Sequence, residues 1–114
     1  MDESRARVML RAERAELTTL LRETEDELAG EGTQGPGDYG DAALPLTERG
    51  DEGAVADQLR DRLGAIDRAL ARIEAGNYGR SVLSGKPIPE QRLEADPAAE
   101  LTIDEAIAAE RERA

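Results

Sequence analysis

Apolar residues recur along this chain with two clear helical rhythms. From Ala56 onward they fall at Ala56, Leu59, Leu63, Ile66, Leu70 and Ile73, in steps of 3, 4, 3, 4 and 3. That is the alternation of a coiled-coil seam, and it predicts a helix over 54–75. Gly76-Asn77 follows as a left-handed stop. Near the N-terminus Leu10, Leu17, Leu21 and Leu28 step by 7, 4 and 7, with Arg14 and Thr24 interrupting the series. Val8, Ala12, Ala15 and Leu20 widen that stripe, and no Gly or Pro intervenes between Asp2 and Gly30. A first helix over 2–29 is expected, begun by Asp2, Glu3 and Ser4, with a length of roughly 40 Å at 1.5 Å per residue. Neither helix can bury its stripe alone. The simplest solution is an antiparallel coiled-coil hairpin, in which each buried Leu or Ile contributes on the order of 1.5–3 kcal/mol.

Between the two seams the pattern dissolves. Residues 30–53 hold Gly30, Gly32, Gly35, Pro36, Gly37, Gly40, Pro45, Gly50 and Gly53, which predicts a loop. A loop of that length is more often functional or disordered than structural. Beyond Asn77, Pro87, Pro89 and Pro97 exclude a long helix, and Tyr78, Val82, Leu83, Ile88 and Leu93 are the bulky apolar groups of a compact irregular unit. Residues 101–113 form a last helix, with Thr102 or Asp104 near its start and Leu101, Ile103 and Ile107 on its apolar side. The fold class is thus mainly all-α: a hairpin over 1–76 with a loop at about 30–53, then a small unit and a terminal helix over 77–114.

Within that unit the polar positions carry their own spacing. Ser81 and Ser84 stand three apart and run into a Gly turn, and Thr102 and Glu105 repeat the interval 18 positions after Ser84. Four cysteines in that layout would make a zinc site. The chain has no Cys and no His. Hydroxyls stay protonated near neutral pH and bind zinc poorly, and one carboxylate cannot hold a tetrahedral site, so no zinc and no other cofactor is expected. Apolar contacts and hydrogen bonds must then supply what a structural metal would. Ser81, Ser84 and Thr102 are expected to bond turn backbone, and Glu105 to pair with Arg80 or Lys86. Leu83, Ile88, Leu93 and Ile103 are expected to pack the unit onto the hairpin.

Composition narrows the function. The 114 residues include 26 acids and 15 bases, a net charge of −11, with two Tyr, no Phe and no Trp. So few aromatics cannot fill a broad core, but Ala and Leu suffice for helix on helix. A duplex or an anionic membrane repels such a chain, because both need basic patches and Lys86 is the sole lysine. No apolar run approaches a membrane span or a signal peptide, which makes the cytoplasm the expected compartment. No enzyme is expected. His and Cys are absent, Ser81 and Ser84 lack a base at triad spacing, and no Gly-rich phosphate loop precedes a helix.

The run Ala69-Leu70-Ala71-Arg72-Ile73-Glu74-Ala75-Gly76-Asn77-Tyr78-Gly79-Arg80 resembles the helix-to-finger junction of the DksA/TraR family. Gly85-Lys86-Pro87-Ile88-Pro89 and Arg92-Leu93-Glu94-Ala95 are similar to its finger, and Leu101-Thr102-Ile103-Asp104-Glu105 to the segment with its second cysteine pair. The resemblance spans about residues 69–105 and makes Ser81, Ser84, Thr102 and Glu105 degenerate zinc-ligand positions. It implies a transcription regulator that binds bacterial RNA polymerase through the secondary channel, without touching DNA. A monomer is expected, although the imperfect seam of the first helix leaves room for a second chain. Asp38-Tyr39-Gly40-Asp41-Ala42-Ala43 fits the family's tip pattern Asp-x-x-Asp-x-Ala, so Asp38, Asp41 and Ala43 are implied to modulate initiation. The same acids could equally be solvated loop residues. Two other readings stay open: an adaptor hairpin that has lost polymerase control, and a passive competitor for the channel.

Overall fold

The computed structural model describes residues 1–32 and 45–113, and the side chains of 1–30 and 53–113. Four helices follow in order: α1 (Glu3–Gly32), α2 (Pro45–Ala75), α3 (Glu90–Ala95) and α4 (Ile103–Arg113). Among the described residues the β structure is a single antiparallel bridge, Arg80 with Pro87. Two compact units divide the chain: Met1–Arg14 with Gly64–Ala114, and Ala15–Leu63.

In the first unit α1 and α2 run antiparallel. Arg7 pairs with Glu74 at 3.5 Å and Arg14 with Asp67 at 2.7 Å, so numbers rise on one helix as they fall on the other. Ala6 and Leu10 from α1 and Ile66, Ala69 and Ile73 from α2 are buried. In the second unit Ala56 is buried, Leu17, Leu21, Leu28, Leu59 and Leu63 are half-buried, and Arg60 bridges to Glu25 at 2.7 Å. The seam read on α2 is therefore the buried face of that helix. The stripe read on α1 is too wide. Val8, Ala12, Ala15 and Leu20 are exposed, because a two-helix contact covers only the narrow a/d line. The two interruptions are accommodated at that line: Arg14 reaches Asp67, and the Thr24 hydroxyl donates to the Leu20 carbonyl at 2.9 Å.

Helix ends follow local chemistry. The Asp2 carboxylate accepts from the Ser4 amide at 3.3 Å and caps α1. At the end of α2, Asn77 donates to the Arg72 carbonyl at 3.0 Å and Gly76 to the Ile73 carbonyl at 3.2 Å, with Gly76 at φ +80. This pair of bonds is a Schellman stop, as the Gly76-Asn77 pair predicts. The expected loop of 30–53 is too long at both ends. α1 continues to Gly32 and α2 already begins at Pro45. Proline is well placed at the first helical position, where its missing N–H costs nothing, and Gly50 and Gly53 lie inside the helix despite their propensity. Likewise the last helix starts two residues later than expected, at Ile103.

Candidate functional site

The C-terminal unit is built on a knuckle. Ser81 donates its amide to the Lys86 carbonyl at 2.8 Å, Gly85 returns a bond to the Ser81 carbonyl at 2.9 Å, and Ile88 bonds Gly79 at 2.8 Å. Gly79 and Gly85 sit at φ +86 and +75, which lets the chain turn twice within seven residues. Beneath the knuckle Ile88, Leu93 and Ala99 form a buried cluster, with Met1 and Tyr78 packed against it. The Tyr78 hydroxyl donates to the Pro97 carbonyl at 2.8 Å, and burial raises its pKa above the usual phenol value. Two of the four residues expected to seat this unit do so, Ile88 and Leu93. Leu83 is 72% exposed and Ile103 50% exposed, because the knuckle turns the first outward and α4 presents the second to solvent.

Arginines from two helices clamp the strap 97–102 in place. Arg68 grips Glu100 with a fork of two bonds, 3.1 and 2.9 Å, and Arg72 lies 3.6 Å from the same carboxylate and donates to the Ala99 carbonyl at 3.3 Å. Arg92 donates to the Leu101 carbonyl at 2.8 Å, and the Val82 amide to that of Glu100 at 2.9 Å. The fork of Arg68, first, and then Arg72 hold the Glu100 carboxyl below its ordinary range. No sequence pattern assigns a role to Arg68, Arg72, Arg92 or Glu100. Arg68 and Arg72 stand beside seam positions of α2, but the partner of Arg68 lies 32 residues away and no local pattern points to it.

The four positions with metal-site spacing do converge. Ser81, 5% exposed, accepts at its Oγ from the amides of Leu83 (3.1 Å) and Ser84 (3.2 Å), which uses both acceptor sites of the hydroxyl. Ser84 accepts from the Lys86 amide at 3.2 Å. Thr102 precedes α4 and exchanges bonds with its third residue: the Thr102 amide donates to Glu105 Oε1 at 2.9 Å, and the Glu105 amide to Thr102 Oγ1 at 3.3 Å. This reciprocal pair is a capping box. Glu105 thus bonds the start of its own helix, in place of the expected pairing with Arg80 or Lys86; Arg80 turns back to the Gly85 carbonyl at 3.2 Å. The Ser81 hydroxyl most, then the Thr102 amide and the Ser84 hydroxyl, pull the Glu105 carboxyl down to about 2.

That donor set does not fit zinc. Three hydroxyls and one carboxylate, whose lone pairs already accept hydrogen bonds, offer no thiolate or imidazole. Among the described residues no group of three or more His, Cys, Asp or Glu converges, and no helix is long and apolar enough to cross a membrane. Asp38, Asp41 and Ala43 lie outside the described residues.

A helical hairpin leading through a Schellman stop into a knuckle is an arrangement with known relatives. The chain is 37% identical over 95 residues to the "RNA polymerase-binding transcription factor DksA" of Caulobacter vibrioides, across 83% of this chain and 66% of that protein. The chain belongs to the DksA/TraR family. General stress protein 16O of Bacillus subtilis is 34% identical over 92 residues, which are 78% of this chain and 56% of that protein. The structure of transcription factor DksA2 from Pseudomonas aeruginosa superposes with a TM-score of 0.82, at 28% identity, over 98% of this chain and 86% of that one. No family model matches the sequence. The chain spans just under two thirds of the length of its Caulobacter relative. With the DksA/TraR fold in view, the hairpin and the finger read from the sequence are those of the family, and the finger is one without cysteine.

Proposed function

We propose that this chain binds bacterial RNA polymerase directly through the secondary channel and modulates initiation with Asp38, Asp41 and Ala43, the acidic residues and alanine between α1 and α2, without binding DNA. The observation that carries this reading is the likeness to DksA2 over nearly the whole chain, with both seams of the hairpin intact. The relative from Caulobacter is named for polymerase binding. A net charge of −11 opposes a duplex as partner. Carboxylates delivered near a Mg²⁺-dependent centre can act on the metal or its water electrostatically. The role of the finger is structural, with no catalytic residue and no metal in it.

The test separates binding from action. Purified chain is mixed with core polymerase, and co-elution is measured for the wild type and for the Asp41→Asn, Ala43→Thr double variant. Both should bind alike, while only the wild type shifts the yield of initiated transcripts. If the wild type fails to co-elute, the chain is an adaptor hairpin that has lost polymerase control. If both bind and neither changes transcription, it is a passive competitor for the channel.

A further inference from the structure

A cavity of about 320 Å³ lies between the end of α2 and the knuckle, lined by Arg72, Asn77, Arg80, Ser81, Val82 and Gly85. Two arginines thus share one hollow in a chain of net charge −11. Arg72 is nearly buried, with 12% of its side chain exposed. Its terminal nitrogens are engaged, Nη2 with the Ala99 carbonyl and Nη1 with Glu100 at 3.6 Å. Its Nε is buried and, among the described residues, meets no acceptor. A buried N–H without a partner is costly, and a fold that keeps one calls for an explanation such as a water, an ion or a ligand. Arg80 is exposed, and among the described residues its bond is the one from Nη1 to the Gly85 carbonyl at 3.2 Å. That leaves the edge made by Nε and Nη2, a fork that grips two oxygens side by side. Asn77 adds a side-chain amide to the lining, and Val82, 52% exposed, adds an apolar wall. A water would satisfy the Arg72 Nε, but it would not match the open fork of the second arginine.

We propose that this cavity binds a small free monocarboxylate, with its oxygens on the Arg80 fork and the Arg72 Nε and its short apolar tail against Val82. Charge selects the class of ligand. Arg68, Arg72 and Arg80 stand against the carboxylates of Glu100 and Asp96, so one positive charge is left over and one carboxylate balances it. The field of the whole chain weighs against any further negative charge, which favours a monoanion over phosphate and a lone small acid over an acidic protein surface. The residues that form the cavity belong to one compact unit, and the knuckle bonds of Ser81 and Gly85 fix its wall. This inference stands whether or not the chain binds polymerase.

NMR titration of the full chain with sodium butyrate tests it, at neutral pH and at constant ionic strength with chloride as the exchanged anion. The Val82 and Gly85 amides should move along a saturating curve with a Kd of about 1–10 mM. Acetate should bind about fourfold more weakly, for the methylene it cannot lay on Val82. Butyramide, of the same shape without the charge, should move neither amide. Arg80→Gln should weaken butyrate about tenfold, and Arg111→Gln, on α4 and outside the cavity, should leave it unchanged. A linear response to butyrate, an equal response to butyramide, or an unchanged Kd in Arg80→Gln overturns the proposal. So does equal weakening by Arg111→Gln, since the effect would then be one of general charge. Tighter binding of inorganic phosphate than of butyrate overturns the assignment to a carboxylate. The comparison of butyrate with butyramide needs no variant, and it decides alone if Arg80→Gln does not fold.

Discussion

Ser81 shows how a small polar side chain can be worth more than its size. It is buried and accepts two bonds at one oxygen, from the amides of Leu83 and Ser84. Ser81→Ala strips the acceptor from two amides, which is costly because buried groups left unpaired lose their full solvation. We expect a loss of about 1–3 kcal/mol, read from urea midpoints at unchanged m-value. Ser84→Ala, at an exposed position, should cost less. Spacing alone made all four positions of this cluster legible, and their convergence follows from the frame they occupy. The partner of Glu105 was not legible. A sequence lists Arg80 and Lys86 as nearby cations, but a long side chain must give up rotamer freedom to reach, while two hydroxyls three apart on a tight turn are already in place. Thr102-Ile103-Asp104-Glu105 carries a capping-box signature that would have named the correct bonds.

Helices, strap and knuckle test the packing argument. Ile66 is fully buried in the seam, and Leu83 is an exposed leucine of similar volume on the knuckle. Ile66→Ala should cost about 2–5 kcal/mol, and Leu83→Ala should fall within about 0.5 kcal/mol of the wild type. Equal losses would show that exposure in the fold does not set the energetics. Gly76 ends α2 at φ +80, where a Cβ meets no atom but the backbone disfavours any L side chain. Gly76→Ala should lower stability by about 1–2 kcal/mol through backbone conformation alone. The α2 seam and its stop could be read from the sequence because period and glycine act locally. The start of α2 could not. Gly50 and Gly53 each cost about 1 kcal/mol against Ala in a helix, and they read as breakers, but a 31-residue helix can carry that cost. The breadth of the α1 stripe also misled, since apolar spacing says which positions could be buried and only the number of packing partners says how many are.

Acid should weaken this protein by protonating carboxyls that the fold holds ionised. The Glu105 carboxyl is held at about 2 in the fold against an ordinary 4.5, and Glu100 is also lowered. A carboxyl depressed by folding stabilises the fold fully above its unfolded value. That contribution is lost as pH falls through the folded one. The window therefore opens near pH 4.5 and closes near pH 2 for Glu105. The chain's own repulsion acts in the opposite sense, because protonating part of the excess that gives −11 relieves it. Thermal melts of wild type and Glu105→Gln between pH 7 and pH 2 should therefore converge: a clear gap at neutral pH, narrowing below pH 4.5, and closed near pH 2. A gap that stays constant with pH would mean that the glutamine perturbs shape and that the charge of residue 105 contributes nothing. The same melts repeated with a strong chelator should superpose at every pH, because hydrogen bonds occupy every position where the DksA/TraR frame could place a metal ligand.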